Sequence, residues 1–378
     1  MRNWPGKTVI GLTGNIATGK SVVRRMLEHL GAYGIDADAL SHRAIAKGAP
    51  GYKPVVEAFG RWIVGPDQQI NRVRLGRIVF SDPEALAILE GIVHPLVSQA
   101  VEVIVGRASQ PVIVIEAIKL LETESLARVC DSIWVSYAPV KVQMARLILN
   151  RKMSEAEARQ RILSQPPQEK KIAAANVVIK NLGSFEETWR QVSRAWQALV
   201  PPAEAGQEVS PPVKHGEFTV VRAHPRDSEE IAALINRLHP SDHPLTKSDI
   251  MAAFGEKAFL ILRMDGKTVG VLGWQVENLV ARTTEVSLDP TVSPREAFPI
   301  LMSEMEQASK DLQCEASLLF IPPEFSRQDR LWQSIGYDHR TPETLGVQAW
   351  QEAALESMPS RSALYFKALR QDRVLRPI

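Results

Sequence analysis

The chain has few cysteines and no long uninterrupted apolar run. Its two cysteines, Cys130 and Cys314, lie far apart among apolar residues, so we expect free buried thiols rather than a disulfide, and a reducing, cytoplasmic setting. No stretch approaches about 18 consecutive apolar residues, and the N-terminus lacks the apolar segment of a secretory signal. We therefore expect neither export nor a membrane span.

A strong charge of one sign is also absent. The 45 Lys and Arg residues nearly balance 43 Asp and Glu residues, which leaves a formal net charge of +2. This balance offers no electrostatic case for a nucleic-acid-binding or membrane-surface protein. The length of 378 residues, 45% of them hydrophobic, exceeds what one compact core usually holds and predicts two domains.

The order of apolar segments predicts how these domains are built. Before residue 200, short apolar runs such as TVIGL and VIVIEA alternate with amphipathic stretches, which predicts a parallel sheet with helices. After residue 217, strand-like runs flank an Asp265-Gly266 turn, which predicts a mixed sheet with a hairpin. The Pro-rich and Gly-containing stretch between them predicts a linker. We predict domains at 1–200 and 218–378, a linker at 201–217, and few contacts between the domains.

The segment GLTGNIATGKSVV carries the most specific signal. Gly14 to Ser21 fits G-x-x-x-x-G-K-[ST], follows an apolar strand and opens a helical pattern, as a Walker A loop does. In such a loop, backbone N–H groups and the helix N-terminus bind phosphate, the lysine reaches the β- and γ-phosphate oxygens, and the serine hydroxyl ligates Mg²⁺. A glycine turn that only links strand to helix would not explain Lys20-Ser21.

Two aspartates follow the next apolar run, in YGIDADAL. A carboxylate at the end of a strand in an open α/β sheet can accept the proton of an attacking hydroxyl. We predict that Asp36 caps the helix that follows and that Asp38 is the catalytic base.

From Thr8 to about Leu199 the chain resembles dephospho-CoA kinase, which phosphorylates the ribose 3′-hydroxyl of dephospho-CoA in the last step of coenzyme A synthesis. The resemblance runs through ordered motifs that include GLTGNIATGKS, IDADAL, LEGIVHPLV, QMARLILNR, ARQRILSQ and NVVIKNLGS. It implies a P-loop kinase domain with a parallel sheet and a helical lid. It also implies ATP and Mg²⁺ as cofactors, dephospho-CoA as substrate, and no nucleic-acid or membrane partner.

The resemblance assigns roles to individual residues. Asp38 is the base, Lys20 and Arg146 are the other catalytic groups, and Ser21 is the metal ligand. Arg146 and Arg151 lie on the lid, although an ordinary solvated helix face is the alternative. Asp38, Arg72, His94 and Glu122 lie at the acceptor, where a surface charge is the alternative for Arg72 and a helix-start histidine for His94. The residues implied in nucleotide binding are Gly14, Asn15, Ile16, Ala17, Thr18, Gly19, Lys20, Ser21, Val22 and Arg151.

The chain also departs from the family pattern. The family usually has glycines at the positions of Asn15 and Ala17 and a threonine at Val22. It usually has Pro and Leu where Ile118 and Lys119 stand, and an aspartate at Asn176. The G-x-x-x-x-G-K-S frame is intact, but a left-handed backbone at a replaced glycine would be strained by the Cβ atom. We expect activity to be retained.

Residues 218 to about 340 resemble GNAT-type N-acetyltransferases in strand order and in an aromatic-Gly-Tyr element. That family binds acetyl-CoA pyrophosphate with a glycine-bearing loop, whereas the corresponding stretch DPTVSPREAFPILMSEM has no glycine and carries Pro290, Pro294 and Pro299. We expect a degenerate, mixed α/β GNAT-like domain that is non-catalytic and is either a relic of the fold or an interaction module with a protein partner. CoA sensing and acetyl transfer are the alternatives. For the whole chain, the alternative to a kinase is a nucleotide-binding regulatory protein.

Overall fold

The computed structural model describes residues 4–79, 81–200, 213–215, 217–277, 279–312, 314–326 and 329–370. Most of the predicted linker, residues 201–212 and 216, lies outside these ranges, as does the tail 371–378. Within the predicted linker, Val213–His215 forms a strand that pairs with Phe218–Val220. The linker prediction was therefore too long at its C-terminal end, because backbone pairing with the next strand outweighs the loop-like composition.

The first sheet is parallel and has five strands in the order β2-β3-β1-β4-β5. Its strands are β1 Thr8–Thr13, β2 Tyr33–Asp36, β3 Val112–Glu116, β4 Ser132–Tyr137 and β5 Val177–Lys180. The helices are α1 Lys20–His29, α2 Ala37–Ala44, α3 Tyr52–Phe59, α4 Arg72–Val79, α5 Pro83–Arg107, α6 Glu124–Arg128, α7 Val140–Arg151, α8 Glu155–Leu163, α9 Gln168–Ala173 and α10 Phe185–Leu199. The predicted parallel α/β architecture is confirmed.

Helices cover both faces of this sheet. In β3, Ile113 and Ile115 belong to one core cluster, whereas Val112 and Val114 belong to another. Successive strand residues point to opposite faces, so both faces of β3 are buried, as parallel strands require. Strand β1 lies between β3 and β4. The connection from β1 leads to β2 on one side and the connection from β3 leads to β4 on the other, so the winding direction reverses here and the carboxyl end of β1 opens a crevice.

The second sheet is mixed and has eight strands in the order β12-β13-β11-β10-β9-β8-β7-β6. Its strands are β6 Val213–His215, β7 Phe218–Arg222, β8 Ala258–Met264, β9 Lys267–Glu277, β10 Val280–Leu288, β11 Ala316–Ile321, β12 Asp338–Arg340 and β13 Ala363–Ala368. The helices are α11 Ser228–Leu238, α12 Lys247–Ala253, α13 Pro294–Asp311, α14 Pro323–Ser326, α15 Asp329–Ser334 and α16 Gln348–Ser357. The β10–β11 pair is parallel, and the mixed sheet predicted from the sequence is confirmed.

The predicted hairpin joins β8 to β9. Asp265 and Gly266 both have positive φ, 51° and 76°, the backbone that a two-residue type I′ turn needs. The two cysteines are also free, as predicted, and burial raises the pKa of the Cys130 thiol to about 12.

Helix α5 is the one described helix that is long and apolar enough, by length and composition alone, to span a membrane. Several of its side chains, including Val97, Val101 and Ile104, lie in the core beside the sheet. Core helices of globular domains often have this composition, so the feature is weak evidence for a span.

Contacts between the two halves of the chain are more numerous than predicted. The Tyr33 hydroxyl donates to the Leu312 carbonyl at 3.0 Å, and the Arg43 and Glu315 side chains form an ion pair at 2.6 Å. The His29 ring lies with Nε2 2.7 Å from the Phe254 carbonyl oxygen. The expectation of few contacts is wrong, because linker composition says nothing about the surfaces that a linker brings together.

Candidate active site

The loop between β1 and α1 needs glycine at both ends of its motif. Gly14 and Gly19 have φ of 151° and 89°. A Cβ atom at Gly14 would lie 2.4 Å from the Ser136 carbonyl oxygen, and one at Gly19 would lie 1.9 Å from the Asn181 side-chain nitrogen. Both positions therefore exclude any side chain, through backbone conformation and through space.

Two departures from the family pattern lie inside this loop. Ala17 adopts a left-handed backbone with φ of 57°, which costs an L-residue about 1–2 kcal/mol. Asn15 is buried, and its side-chain nitrogen donates to the Pro166 carbonyl at 2.8 Å. Ala17 thus brings strain to the loop, and Asn15 brings a contact with the segment after α8. The third departure, Val22, lies on α1 and packs against the apolar core.

Lys20 lies at the start of α1. Its side chain is buried, its Nζ donates to the Asn15 carbonyl at 3.4 Å, and burial lowers the pKa of its ammonium group. No side chain caps the start of α1, so its first N–H groups remain available to an anion. Together with the glycine backbone, these groups suit the phosphates of a nucleotide.

Ser21 follows Lys20 and contacts the end of β3. Its hydroxyl donates to Glu116 at 2.7 Å, and the Arg24 guanidinium donates to the other oxygen of that carboxylate at 2.8 Å. Burial opposes ionisation of Glu116, but Arg24, Lys20 and these hydrogen bonds outweigh it and lower its pKa. A hydroxyl and an ionised carboxylate are oxygen ligands of the kind that Mg²⁺ takes in proteins. The described residues contain no group of three or more His, Cys, Asp or Glu side chains that could hold a metal ion.

Asp36 and Asp38 have different surroundings. Asp36 accepts a hydrogen bond from the Ala39 N–H at 2.8 Å and is the N-cap of α2, so its predicted capping role is confirmed. Asp38, two residues later, accepts from the Ile118 N–H at 3.1 Å. Burial raises the pKa of Asp38, while Lys20 and the Ile118 N–H hold it down. Asp38 is thus a partly buried carboxylate within electrostatic reach of the loop lysine.

Lys171, on α9, is a buried cation that sequence reasoning missed. Its ammonium group donates to the Ile118 carbonyl at 2.5 Å, and burial lowers its pKa while Glu122 and Asp38 raise it. Ile118 therefore donates to Asp38 through its N–H and accepts from Lys171 through its carbonyl. The sequence offers little signal, because Lys170 and Lys171 are adjacent and only the fold shows that Lys171 is the buried one.

Arg146 contacts the loop from α7. Its guanidinium donates to the Ala17 carbonyl at 3.1 Å and to the Asn181 side-chain oxygen at 3.0 Å. The Asn181 side-chain nitrogen donates in turn to the Thr18 carbonyl at 3.1 Å. Arg146 is therefore no solvated surface residue, and Asn181, which lies in a quoted motif but had no assigned role, joins α7 to the loop. Arg151 is exposed but near enough to Lys20 to lower the pKa of that lysine.

The lid helices α7 and α8 pack on the tip of the loop. Ile16, Leu147 and Ala158 form a small buried cluster. The Ile16 N–H donates to the Gln165 side-chain oxygen at 2.7 Å. The lid thus contacts the phosphate loop through apolar packing. Residues 165–166, which follow α8, also accept hydrogen bonds from the loop.

The three remaining acceptor candidates lie apart from these groups. Arg72 begins α4, is half exposed, and pairs with Glu352 of α16 at 3.1 Å. His94 lies within α5, half buried, and so does not begin a helix. Glu122 is exposed and near Lys171. Within the described ranges, no hydrogen bond or ion pair joins any of the three to Asp38 or Lys20, so their place at an acceptor stays a prediction.

The stretch before α13, which only its sequence likens to the acetyl-CoA loop of acetyltransferases, holds a carboxylate of its own. Asp289, before α13, accepts from the Thr291 N–H at 3.0 Å and pairs with Arg237 at 2.5 Å. Hydrogen bonds from Thr291 and the pairing with Arg237 lower the pKa of Asp289. Pro294 is the first residue of α13 and Pro299 lies within it. An ionised carboxylate and prolines near this helix N-terminus oppose the binding of a further anion.

The first half of the chain is similar to proteins of one family. A family model described as dephospho-CoA kinase (CoaE) matches residues 8–187. A curated dephospho-CoA kinase of Geobacter metallireducens is 45% identical over 195 residues, which are 51% of this chain and 96% of that protein. A solved dephospho-CoA kinase from Campylobacter jejuni is 25% identical, with a TM-score of 0.39, over 51% of this chain and 97% of its own.

For the second half, a PaiA N-acetyltransferase from Thermoplasma acidophilum is similar over 40% of this chain and 98% of its own, with 10% identity and a TM-score of 0.31. The 45% identity to the Geobacter metallireducens relative, over 96% of that protein, shows the family to which the first half is related. The chain belongs to the dephospho-CoA kinase family.

Proposed function

We propose that this chain transfers the γ-phosphoryl group of ATP to the ribose 3′-hydroxyl of dephospho-CoA, which yields coenzyme A and ADP. The observation that carries the proposal is that buried Lys20 and partly buried Asp38 lie within electrostatic reach of each other beside an uncapped glycine loop. A loop that only bound nucleotide would need the lysine but not this carboxylate. Family membership supports the same reaction.

The loop binds the phosphates. Its backbone N–H groups and the start of α1 surround the β-phosphate, and Lys20 places its charge at the transferred group, where negative charge must be stabilised. Ser21, with Glu116 beside it, would hold Mg²⁺, which supplies charge neutralisation between the β- and γ-phosphates when bound. Burial of Lys20 strengthens its electrostatic contribution, because few water molecules compete for it.

Asp38 accepts the proton of the attacking hydroxyl. Its raised pKa makes the carboxylate a better base than an exposed aspartate. Lys20 and Lys171 lower the pKa of the same carboxylate and so oppose the effect of burial. The carboxylate can therefore take the proton when the ribose oxygen bonds to phosphorus and the oxygen bridging to the β-phosphate leaves with ADP.

Arg146 and Arg151 belong to the lid and add positive charge near the transferred phosphoryl group. Arg146 is already held against the loop by Asn181, so it needs little reorganisation. The proposal keeps Arg72, His94 and Glu122 as acceptor-binding residues.

We also propose that residues 1–200 are the kinase domain, and that residues beyond about 213 form a non-catalytic module that recognises a protein partner. The relative that matches over 96% of its length supports the first boundary. Asp289 and the prolines near α13 argue against acetyl transfer in the module. Two free cysteines support a reducing compartment, the cytoplasm.

The test is ADP release with dephospho-CoA, compared with other nucleosides and with shikimate-like alcohols. Dephospho-CoA should be the preferred acceptor. Asp38→Asn should lower kcat by roughly 100-fold or more while ATP binding changes little, because the side chain keeps its shape and loses its basic oxygen. Lys20→Ala should nearly abolish transfer, whereas Lys170→Ala, at an exposed lysine, should not.

Two results would contradict the proposal. ATP binding without transfer to any acceptor would favour the nucleotide-binding regulatory protein. An unchanged kcat in Asp38→Asn with a raised KM for ATP would make Asp38 a metal-binding or structural residue.

A further inference from the structure

A cavity lies between the two halves of the chain, at the end of α1 opposite the phosphate loop. It encloses about 310 Å³ of space, part of it open to solvent. Residues of α1 line one side and residues of β7, β8 and β9 line the other. The charged or aromatic residues that line it are Arg25, Glu28, His29, Arg222, Lys257 and Trp274.

The charges around this cavity are mostly positive. Arg25, Arg222 and Lys257 face it, and Glu28 is the carboxylate among the lining residues. Glu28 already pairs with Arg24 at 2.5 Å, and the Lys257 ammonium group lies 3.9 Å from the nearest carboxylate, Glu285. Even without Arg25, the two cations Arg222 and Lys257 face one lining carboxylate, which is already paired, and this excess of positive charge favours an anion.

Arg222 feels the carboxylates of Glu28 and Asp311 at longer range but pairs with neither of them. Its guanidinium lies 5.9 Å from the centre of the Trp274 ring and makes no ion pair or hydrogen bond with any residue in the described ranges. Burial lowers its pKa. A guanidinium that is removed from bulk water without an acceptor costs free energy, which an anionic ligand would recover.

His29 adds a requirement for a donor. The ring is 5% exposed, and its Nε2 must carry a proton because it lies 2.7 Å from the Phe254 carbonyl oxygen, which can only accept. Burial, with the nearby Arg222, lowers the pKa of His29 to about 3, so the ring is neutral. Its Nδ1 is then an acceptor, and it is buried without a partner among the described residues.

We propose that this cavity binds a compact oxyanion that keeps one O–H group, with hydrogen phosphate as the simplest example. Its negative oxygens accept from Arg222, and its O–H donates to His29. Sulfate has the same shape and charge but no proton to donate at neutral pH. A site with a buried acceptor discriminates against a ligand that leaves the acceptor unpaired.

The phosphate loop would also bind such ions, so the experiment uses the full chain with Lys20→Ala. Calorimetric titration of that chain with inorganic phosphate should show one site, and sulfate and glycerol 3-phosphate should bind about tenfold more weakly or worse. Adding Arg222→Gln should weaken phosphate binding by about tenfold or more. The matched control Arg226→Gln, at an exposed arginine four residues after the end of β7 and outside the cavity, should leave phosphate binding unchanged.

Circular dichroism and a thermal melt establish that each variant is folded, and Arg222→Lys, which keeps the charge, should bind phosphate better than Arg222→Gln. No phosphate binding by the folded Lys20→Ala chain, or equal binding after Arg222→Gln, would overturn the proposal. Equal affinity for phosphate and sulfate would overturn the role of His29. Loss of kinase activity in Lys20→Ala does not enter any of these readouts.

Discussion

The backbone N–H of Ile118 donates to the Asp38 carboxylate at 3.1 Å. The family usually has proline at position 118, and proline has no N–H to donate. This chain therefore gives its proposed base a hydrogen bond that the usual family residue could not make. A hydrogen bond to the ionised form favours that form, so the departure makes Asp38 a weaker base that ionises at lower pH.

Replacement of Ile118 by proline tests this effect. In Ile118→Pro the carboxylate loses a donor, so the pKa of Asp38 should rise and the acid limb of the kcat/KM profile should move to higher pH, because only the deprotonated base acts. Ile118→Ala keeps the N–H and serves as the control, with an unshifted profile. Superimposable profiles for Ile118→Pro and the control would contradict the interpretation.

Lys171 should matter for the reaction, although its neighbour should not. Lys171→Met removes a buried ammonium group near Asp38, and kcat should fall by roughly tenfold or more. The acid limb of the pH profile should also move upward, since Lys171 helps to keep Asp38 ionised. Lys170→Met is the matched control, and we expect activity within about twofold of the original chain. Equal effects of the two variants would make Lys171 a structural residue.

Ala17→Gly should stabilise the protein. The left-handed backbone at Ala17 destabilises an L-residue by about 1–2 kcal/mol, and glycine removes this strain. The greater freedom of glycine in the unfolded chain offsets about 0.5–1 kcal/mol of that gain. The net gain should reach about 1 kcal/mol, which urea unfolding can detect. Ala174→Gly, at a residue with φ of −90°, should destabilise instead. A loss of stability in Ala17→Gly would show that the Ala17 side chain contributes more than the strain removes.

His29 should make stability depend on pH. Its pKa is about 3 in the folded chain against 6.5 in the unfolded chain, so the unfolded state binds the extra proton between these values. The free energy of unfolding should therefore fall as pH decreases through this window, by about 2 kcal/mol between pH 6.5 and pH 5. His29→Asn can still donate to Phe254 but does not titrate, and urea unfolding should show a smaller pH dependence for it. An equal pH dependence in both proteins would mean that His29 is protonated in the fold.

Cleavage of the chain after Gly206 tests the domain proposal. The N-terminal fragment should phosphorylate dephospho-CoA unaided, since the relative that it matches is aligned over 96% of its length. Its melting temperature should be lower than in the full chain, because Tyr33 and His29 lose their contacts with Leu312 and Phe254. A soluble, folded but inactive fragment would show that the second half completes the active site.

The C-terminal fragment tests the degenerate acetyl-CoA loop. We expect no acetyl transfer and only weak acetyl-CoA binding, because Asp289 places negative charge near the start of α13. Calorimetry measures the affinity directly. A micromolar affinity would contradict this interpretation.

The features that the sequence determined are local. The phosphate loop requires Gly14 and Gly19 at a fixed spacing, Asp36 caps the helix that follows it by accepting from an N–H three residues away, and Asp265-Gly266 closes a two-residue turn. Each of these rests on the conformational preferences of a few consecutive residues, so the residue types alone predict them.

Tertiary structure decided which distant groups meet. Lys171 reaches Ile118 from 53 residues away, and Asn181 reaches Thr18 from 163 residues away. The same holds for the contacts of His29 with Phe254 in the second half of the chain. Composition and periodicity predict that a helix or strand exists but not which of its polar side chains becomes buried. That outcome depends on strand order and on the packing of separate elements against each other.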